Sequence, residues 1–192
     1  GADLKGPNLL TGALLTRLDK TRQPELIDFY RTANPAHPVG LVVVAAIYDL
    51  AEANSAVKGY AVLHIDPDRE LYPMIQTWPV PSASAETELV RLEDDHITFL
   101  NRMRHSPAEP MTVRLAMAPK LPATQAIQQP STWGDGVDYR GVPVFFSSHV
   151  VPGTPWIMIA KVDRDEVLGE LRWASFAVGL SVLFLLLIAG LL

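Results

Sequence analysis

Hydrophobic positions near the start of the chain recur at helical spacing. Leu10, Leu14 and Leu18 lie four residues apart, so their side chains share one face of a helix. This spacing predicts an amphipathic helix over residues 7–22, which ends before Pro24 because proline cannot continue a helix. The hydrophobic period then shortens, which indicates that strands follow.

Three strand-like segments follow in the first third of the chain. Residues 26–30 form a short candidate strand, and residues 41–48 are an unbroken apolar run of the kind found in strands buried on both faces. Residues 60–65 come after a polar connector. We expect the second and third segments to pair antiparallel.

A short helix and a loop are predicted next. Residues 71–78 carry the apolar positions of a helix, and Pro73 fits in its first turn, where a missing N–H costs nothing. Residues 79–84 are rich in proline and serine, which predicts a stretch without regular structure.

Predicted strands dominate the second half of the chain. The acids at residues 93–95 are expected to form a hairpin turn, and residues 133–136, with two glycines, a second turn. One helix is predicted at residues 122–129. The predicted strands cover residues 88–92, 96–103, 111–117, 137–139, 142–150 and 156–162. This order of elements predicts an α+β domain with an antiparallel sheet and helices on one face.

The end of the chain differs from the rest in polarity. Residues 163–172 form a charged helical segment, whereas residues 173–192 contain no charged residue. A helix needs about 20 apolar residues to cross a bilayer, so this stretch predicts a transmembrane helix. A buried core helix is the alternative, but it would rarely lack charge over so long a run. Because the chain starts without a methionine and stops in or at the end of this helix, we expect a fragment of a longer protein.

Composition narrows the classes of function. The chain has a net charge of -5 and no cluster of Lys or Arg, which argues against nucleic-acid binding. It has no cysteine, so a disulfide framework, a thiolate nucleophile and a zinc finger are excluded. The 5 histidines are scattered singly without the spacing of paired metal ligands, so ordinary surface or strand histidines are expected.

No catalytic motif stands out either. The Ser-Ser-His run at residues 147–149 lies within a predicted strand, whereas a nucleophile elbow needs a strand-to-helix turn. The acids at residues 93–95 fit a solvated turn better than a pair of catalytic carboxylates. We therefore expect a chain without an active site or a cofactor of its own.

Several stretches of the sequence are similar to those of one known family. The last hairpin reads DYRGVPV at residues 138–144, VPGTPW at 151–156 and IAKVDRDE at 159–166. A second block is GYAVLHIDPD at residues 59–68, and a third runs from residue 71 through Trp78 to Glu86-Thr87. These stretches resemble the Cache family, the PAS-like extracytoplasmic sensor domains of bacterial histidine kinases, diguanylate cyclases and chemoreceptors. The likeness covers most of residues 25–172.

The resemblance implies a PAS-like antiparallel sheet with flanking helices, followed by one transmembrane helix. It divides the chain into an N-terminal linking helix (1–24), a sensor domain (25–162), a juxtamembrane helix (163–172) and a transmembrane helix (173–192). It also implies that this is the membrane-proximal half of a tandem sensor. Residues 1–172 are then expected outside the cytoplasm, on the inner membrane of a bacterium. A homodimer is expected at full length, because one signalling helix per chain needs a partner helix to move against, whereas the soluble part lacks a heptad seam and should dimerise weakly or not at all.

A small-molecule pocket is expected, if this half binds a ligand, between the sheet and the helix at 71–78. Such pockets combine apolar walls with a few polar groups, and the candidates are Tyr48, Tyr72, Gln76, Trp78 and Arg91. Each of them taken alone fits a framework or surface role better. Arg91 would hold an anionic group, and the expected ligands are an amino acid, an organic acid or an amine. A relay half that binds nothing is favoured over a ligand site, because the membrane-proximal halves of such sensors often pass on a signal without binding one.

Three functions stay open at this point. The first is a sensing and transmission module, in which a ligand or partner biases two arrangements of the final helix. The second is a membrane-anchored envelope protein with a structural or partner-binding role. The third, a membrane-anchored hydrolase, is disfavoured because no nucleophile motif is present.

Overall fold

The computed structural model describes residues 10–34, 37–49 and 56–191, and within the final helix it describes the side chains at 164–169, 175–182 and 188–189. The first part of the fold is a helix followed by three strands. Their bounds are α1 Gly12–Thr21, β1 Glu25–Arg31, β2 Val39–Ile47 and β3 Gly59–Ile65. The strands form an antiparallel sheet in the order β1-β2-β3.

Helix α1 packs on one face of this three-stranded sheet. Thr11 caps its start, because Thr11 Oγ1 accepts a hydrogen bond from Leu14 N at 3.3 Å. Leu14 and Leu18 are buried against valines of β2, so the predicted apolar face is the one that packs. Residues 7–9 of the predicted helix lie outside the described residues.

A six-stranded antiparallel sheet forms the second part of the fold. Its strands are β4 Glu86–Glu93, β5 His96–Phe99, β6 Arg114–Ala116, β7 Trp133–Val137, β8 Pro143–Val150 and β9 Ile157–Asp163. Their spatial order is β6-β5-β4-β9-β8-β7, so β4 and β9 are neighbours at the centre. The helices of this part are α2 Leu71–Gln76, α3 Pro122–Gln128 and α4 Arg164–Leu191.

Alternate side chains of the six-stranded sheet face two different cores. Val90 of β4 and Ile159 of β9 point into a core that includes residues of α3. Leu89, beside Val90 in the chain, points to the opposite face and packs with Phe29 of β1 and with Trp156. The second core therefore joins the two sheets.

The expected α+β class with antiparallel strands is confirmed. The predicted pairing of the second and third strand segments is confirmed as well, as are the helix at α3 and the place of Pro73 in the first turn of α2. The strands divide into two sheets where the sequence suggested one. The reason is that the first three strands bury an apolar face against the larger sheet and do not extend its edge.

Two predictions around residue 137 were wrong. Residues 133–136, expected as a turn, form most of β7, and Gly136 packs so closely there that a Cβ would lie 2.6 Å from the carbonyl oxygen of Lys120. The strand expected at residues 137–139 ends at Val137, because Asp138 begins a turn. That turn is closed by Gly141 N, which donates to Asp138 O at 2.9 Å, and Gly141 has a φ of 80°. Two predicted strands are also shorter than expected. The strand predicted at 96–103 ends at Phe99, and the one predicted at 111–117 covers only Arg114–Ala116.

Helix α4 continues directly from β9, with no residue between them. It runs without a break to Leu191, so residues 164–191 form one helix. The described apolar side chains along it are largely exposed, as for Phe176 at 65% and Val178 at 63%. Among the residues that the structure describes, no helix combines the length and the apolarity needed to cross a membrane.

Candidate functional site

A lysine is buried among three carboxylates in the middle of the six-stranded sheet. The side chain of Lys161 is 0% exposed, and those of Glu86, Glu88 and Asp138 are at most 3% exposed. Lys161 Nζ lies 3.1 Å from Glu86 Oε2 and 3.1 Å from Glu88 Oε1, and it donates a shorter hydrogen bond to Asp138 Oδ2. We call these four residues the buried ion cluster. Charged side chains are seldom fully buried, and such groups concentrate at functional sites.

The register of the sheet brings the cluster together. Glu86 of β4 lies directly opposite Lys161 of β9. Glu88 follows two residues later in β4 and therefore points to the same face. The next positions on that face are apolar, Val90 in β4 and Ile159 in β9. The cluster is thus the polar end of an inward face whose other end is the core beside α3.

Asp138 reaches the cluster from the turn that follows β7. Its Oδ1 accepts hydrogen bonds from Arg140 N at 2.8 Å and Val142 N at 3.2 Å, which fixes the carboxylate within the turn. Its Oδ2 accepts from Arg140 Nε at 2.7 Å and from Lys161. Burial alone would raise the pKa of Asp138, but the bonds from Lys161 and Arg140 outweigh it and hold that pKa below its ordinary value.

Glu86 accepts hydrogen bonds from uncharged donors as well. The Tyr139 hydroxyl donates to the two oxygens of Glu86 at 3.0 Å and 3.2 Å, and Arg104 N donates to Oε1. The Tyr139 ring also faces Lys161 Nζ, which lies 4.3 Å from the ring centroid. Burial and the charge of Glu86 raise the pKa of Tyr139, so the hydroxyl keeps its proton and acts as a donor.

Glu88 has poorer hydrogen bonding than the other two carboxylates. Its Oε1 is 3.1 Å from Lys161 Nζ, but no described group makes a well-directed hydrogen bond to that oxygen. Burial raises the pKa of Glu88 to about 7; the charge of Lys161 limits this rise and the charge of Glu86 adds to it. Near neutral pH, Glu88 therefore exchanges a proton.

The buried ion cluster contains more acid than base. Burial would lower the pKa of Lys161, but the charges of Glu88, Asp138 and Glu86 raise it above its ordinary value, so the ammonium stays charged. Three ionised carboxylates around one ammonium leave two negative charges in excess. Protonation of Glu88 removes one of them. Because an uncompensated buried charge is costly, this proton affects the stability of the whole site.

A second polar site joins the start of α4 to the segment before β4. Glu166 Oε1 accepts hydrogen bonds from Ser82 Oγ at 2.6 Å and Ala83 N at 3.2 Å. Glu166 Oε2 accepts from Ser84 N at 2.9 Å and from the Ser84 hydroxyl. The hydrogen bonds from Ser82 and Ser84 lower the pKa of Glu166 to about 2. We call Glu166 and residues 82–84 the α4 clasp.

The buried ion cluster and the α4 clasp are connected by polar contacts. Arg140, which binds Asp138, also forms an ion pair with Asp163, the last residue of β9. Asp163 N donates to Ser84 Oγ at 2.9 Å, and the same hydroxyl donates to Glu166. A rearrangement of the cluster therefore has a short path to the first turn of α4.

The pocket residues proposed from the sequence lie in different places. Tyr72 and Gln76 of α2 bind the segment after β5: the Tyr72 hydroxyl donates to Leu100 O at 2.5 Å, and Gln76 Nε2 donates to Arg102 O at 2.9 Å. Trp78 is half-buried, and its indole N–H has no hydrogen-bond partner among the described groups. These contacts fasten α2 to the six-stranded sheet.

Arg91 lies between the two sheets. Its side chain is 12% exposed, and it pairs with Asp28 Oδ2 of β1 at 2.5 Å and with Glu93. An anionic ligand would therefore compete with two carboxylates for this guanidinium. The role of Arg91 in ligand binding stays a prediction.

Tyr48 lies apart from the other four candidates. Its hydroxyl donates to Leu18 O at 3.0 Å, and the Arg22 guanidinium stands 4.5 Å from the centroid of its ring. It lines a surface hollow with Asp19 and Tyr60. The structure does not bring Tyr48 together with Tyr72, Gln76, Trp78 and Arg91.

The four residues of the buried ion cluster were not predicted as a site from the sequence. Two signals for them were present. Glu86 and Glu88 are spaced to face the same side of a strand, and Lys161 is the single charged residue in the run 157–162. Neither signal shows that the two strands are neighbours, since that depends on the pairing of β4 with β9.

No model of a protein family matches this chain, and no curated protein matches its sequence. The α+β architecture with antiparallel sheets is compatible with a PAS-like fold. Membership of the Cache family stays a prediction from the sequence.

Proposed function

We propose that this chain is a signal-sensing and transmission module of a bacterial membrane receptor, in which the state of the folded domain sets the position of α4. The observation that carries the proposal is the α4 clasp. Helix α4 is attached at two points, because it continues β9 without a linker and because Glu166 binds residues 82–84 before β4. A helix held in this way follows any movement of the two strands.

Both central strands of the six-stranded sheet, β4 and β9, are connected to the α4 clasp. Strand β9 reaches it through Asp163, whose N–H donates to Ser84, and β4 begins two residues after Ser84. An input that shifts one strand against the other therefore changes the geometry around Glu166. Such an input must favour one of two arrangements over the other, since a ligand without differential affinity shifts nothing.

The membrane part of the proposal places residues 173–192 across the inner membrane. Its support is the absence of charge in those residues and the exposure of apolar side chains such as Leu180. The sensor domain would lie in the periplasm, as in Cache receptors, with an output domain such as a histidine kinase or diguanylate cyclase on the other side. Alkaline phosphatase fused just before Trp173 is expected to be active in the periplasm. An inactive fusion there contradicts this orientation.

We propose a homodimer for the full-length receptor. A receptor with one output-linked helix per chain needs a second helix against which the first can move. Cross-linking of single cysteines placed along α4 is expected to trap dimers in membranes. Monomers at every position tested would contradict the dimer.

A small molecule is one proposed input, bound between α2 and the six-stranded sheet. The full chain in mild detergent is screened by thermal shift against amino acids, organic acids and amines. A ligand at this place should lose its stabilising effect in Tyr72→Ala or in Arg91→Ala. A ligand whose effect survives both substitutions binds elsewhere, and the absence of any ligand favours a relay.

The transmission step is tested by the position of α4. The chain has no cysteine, so two introduced cysteines carry spin labels without background. We choose Gln128 of α3 and Val178 of α4, both exposed, and measure their distance by pulsed electron paramagnetic resonance. The full chain is placed in lipid nanodiscs and diluted with unlabelled chain, so that only intramolecular distances are read.

Glu166→Ala should broaden the label-to-label distance distribution or add a second population, because it removes the acceptor of the α4 clasp. Asp165→Ala is the matched control, since it removes an exposed carboxylate from the same turn. The control is expected to keep the distribution of the unsubstituted chain. An unchanged distribution in Glu166→Ala contradicts the proposed transmission.

A further inference from the structure

We propose that the buried ion cluster is a proton-operated switch for α4, in which Glu88 takes up a proton from solvent and thereby leaves Lys161 to hold Asp138 in place. This inference rests on the proposed function, because it needs α4 to follow the folded domain. The only covalent change is the bond between the proton and a carboxylate oxygen of Glu88.

Hydrogen bonding selects Glu88 as the residue that takes the proton. Asp138 accepts two backbone N–H bonds as well as bonds from Arg140 and Lys161. Glu86 accepts from the Tyr139 hydroxyl and from a backbone N–H. Glu88 Oε1 has no well-directed donor among the described groups. A proton on Glu88 therefore displaces the fewest existing bonds.

The charge of Glu88 interacts directly with Lys161, Glu86, Asp138 and Tyr139, and further charged and titratable groups contact these residues or the α4 clasp. Acidic and basic groups come from the two central strands, the turn after β7, the segment after β5 and the first turn of α4. They are Glu86, Lys161, Asp163, Asp138, Tyr139, Arg140, Arg104, His105 and Glu166.

The two protonation states differ in how Lys161 is shared. With Glu88 neutral, the ammonium serves Glu86 and Asp138, and Asp138 stays aligned with Arg140. With Glu88 ionised, a third full negative charge competes for the same ammonium inside the protein, where charges interact strongly. This competition draws Lys161 toward Glu88 and weakens its bond to Asp138.

The loss of that bond reaches α4 through the contacts already described. Asp138 and Asp163 share Arg140, and Asp163 N donates to the hydroxyl that holds Glu166. Without the Lys161 bond, Asp138 competes more strongly with Asp163 for Arg140, which weakens the Arg140–Asp163 ion pair at the end of β9. The helix is therefore firmly seated when Glu88 is protonated and released when Glu88 is ionised. Burial sets the pKa of Glu88 to about 7, which places this change near neutral pH.

His105 is a second titratable group beside the α4 clasp. Its Nε2 lies 3.2 Å from Ser84 O, and its side chain is on an exposed part of the segment after β5. A pH response of α4 arising from His105 would look similar in the unsubstituted chain. Separate substitutions at Glu88 and His105 distinguish the two sources.

The test uses the label pair at Gln128 and Val178 in the full chain, measured from pH 5.5 to pH 8.5. We expect the ratio of seated to released α4 to fall about tenfold, which is the change that a difference of one pKa unit between the two states produces. Glu88→Gln mimics the neutral acid and should keep α4 seated at every pH. His105→Gln should retain the response.

Near-ultraviolet circular dichroism of each variant checks that the fold is intact. Glu88→Leu, a second uncharged variant, should behave like Glu88→Gln.

Three results would overturn the switch: a ratio that does not change with pH, a pH response that persists in both uncharged variants at position 88, or a response that disappears in His105→Gln. The proposed transmission fails separately, by an unchanged distance distribution in Glu166→Ala. If Glu166→Ala releases α4 but a change of pH does not, the proposed transmission stands and the proton is excluded as its input.

Discussion

Trp156 and Asp28 lie 128 residues apart in the chain, and the indole Nε1 of Trp156 donates a hydrogen bond to Asp28 Oδ1 at 2.5 Å. The other oxygen of Asp28 pairs with Arg91 at 2.5 Å. Beside this carboxylate, the rings of Phe29 and Trp156 pack with their centroids 4.7 Å apart. One side chain of the three-stranded sheet thus binds Arg91 of the six-stranded sheet and Trp156, the residue just before β9.

Asp28→Ala should lower the free energy of unfolding by about 2 kcal/mol, because it leaves an indole N–H and a guanidinium without this acceptor. Glu109→Ala is the control. Glu109 forms a half-exposed ion pair, at 3.8 Å, with Arg31, which lies in β1 as Asp28 does. Its expected effect is below about 0.5 kcal/mol. Urea unfolding of both variants in mild detergent measures the difference. Equal effects would mean that Asp28 does not tie the sheets together.

Glu88 should make the fold less stable as pH rises. Its ordinary pKa of 4.5 applies to the unfolded chain, and its pKa in the folded chain is about 7. The folded chain therefore binds the proton more tightly, and this contribution is complete below pH 4.5 and lost as pH rises through 7. Linkage gives a loss of about 3 kcal/mol over this range. Unfolding curves from pH 5 to pH 8 should show that the free energy of unfolding falls more in the unsubstituted chain than in Glu88→Gln. If it changes equally with pH in both chains, this prediction is contradicted.

Lys161→Met tests the buried ion cluster from the basic side. The substitution leaves three buried carboxylates without their ammonium, so we expect a loss of about 3–5 kcal/mol at pH 8. The loss should be smaller at pH 5, because Glu88 is then protonated. Lys120→Met, at an exposed position, should change stability by less than about 0.5 kcal/mol. A loss at Lys161 that does not depend on pH would show that packing, and not charge, dominates there.

The β4–β5 hairpin gives a test of backbone geometry. Its turn residues Asp94 and Asp95 have φ angles of 46° and 64°, a region that favours glycine. Asp95→Gly is expected to stabilise the chain by about 0.5–1 kcal/mol. Asp95→Ala should be less stable than the unsubstituted chain, because aspartate tolerates this region better than alanine. Thermal unfolding ranks the three chains, and any other order contradicts the strain in the turn.

Local chemistry explains which elements the sequence predicts well. The hairpin at residues 93–95, the helix α3 and the strand β2 each follow from residues close together in the chain, such as the acidic turn or the unbroken apolar run. The position of Pro73 in α2 follows from the same local rules. These features need no knowledge of what packs against them.

Long-range packing explains what the sequence does not predict. Strand β7 contains Gly134 and Gly136, which read locally as a turn, yet it pairs with β8 and Gly136 fits closely against Lys120. The buried ion cluster likewise depends on the neighbouring positions of β4 and β9, which are separated by five other elements in the chain. Pairing of distant strands is a tertiary property that local patterns do not encode.

The central claim is that the charge of Glu88 reaches α4 through the α4 clasp. The most direct measurement is the pH-dependent distance between labels at Gln128 and Val178 in four chains: unsubstituted, Glu88→Gln, Glu166→Ala and the double variant. We predict that Glu88→Gln abolishes the pH response of the unsubstituted chain. The response should also be absent in Glu166→Ala, and adding Glu88→Gln to this variant should change nothing further. A full pH response of α4 in the Glu166→Ala chain would contradict the central claim.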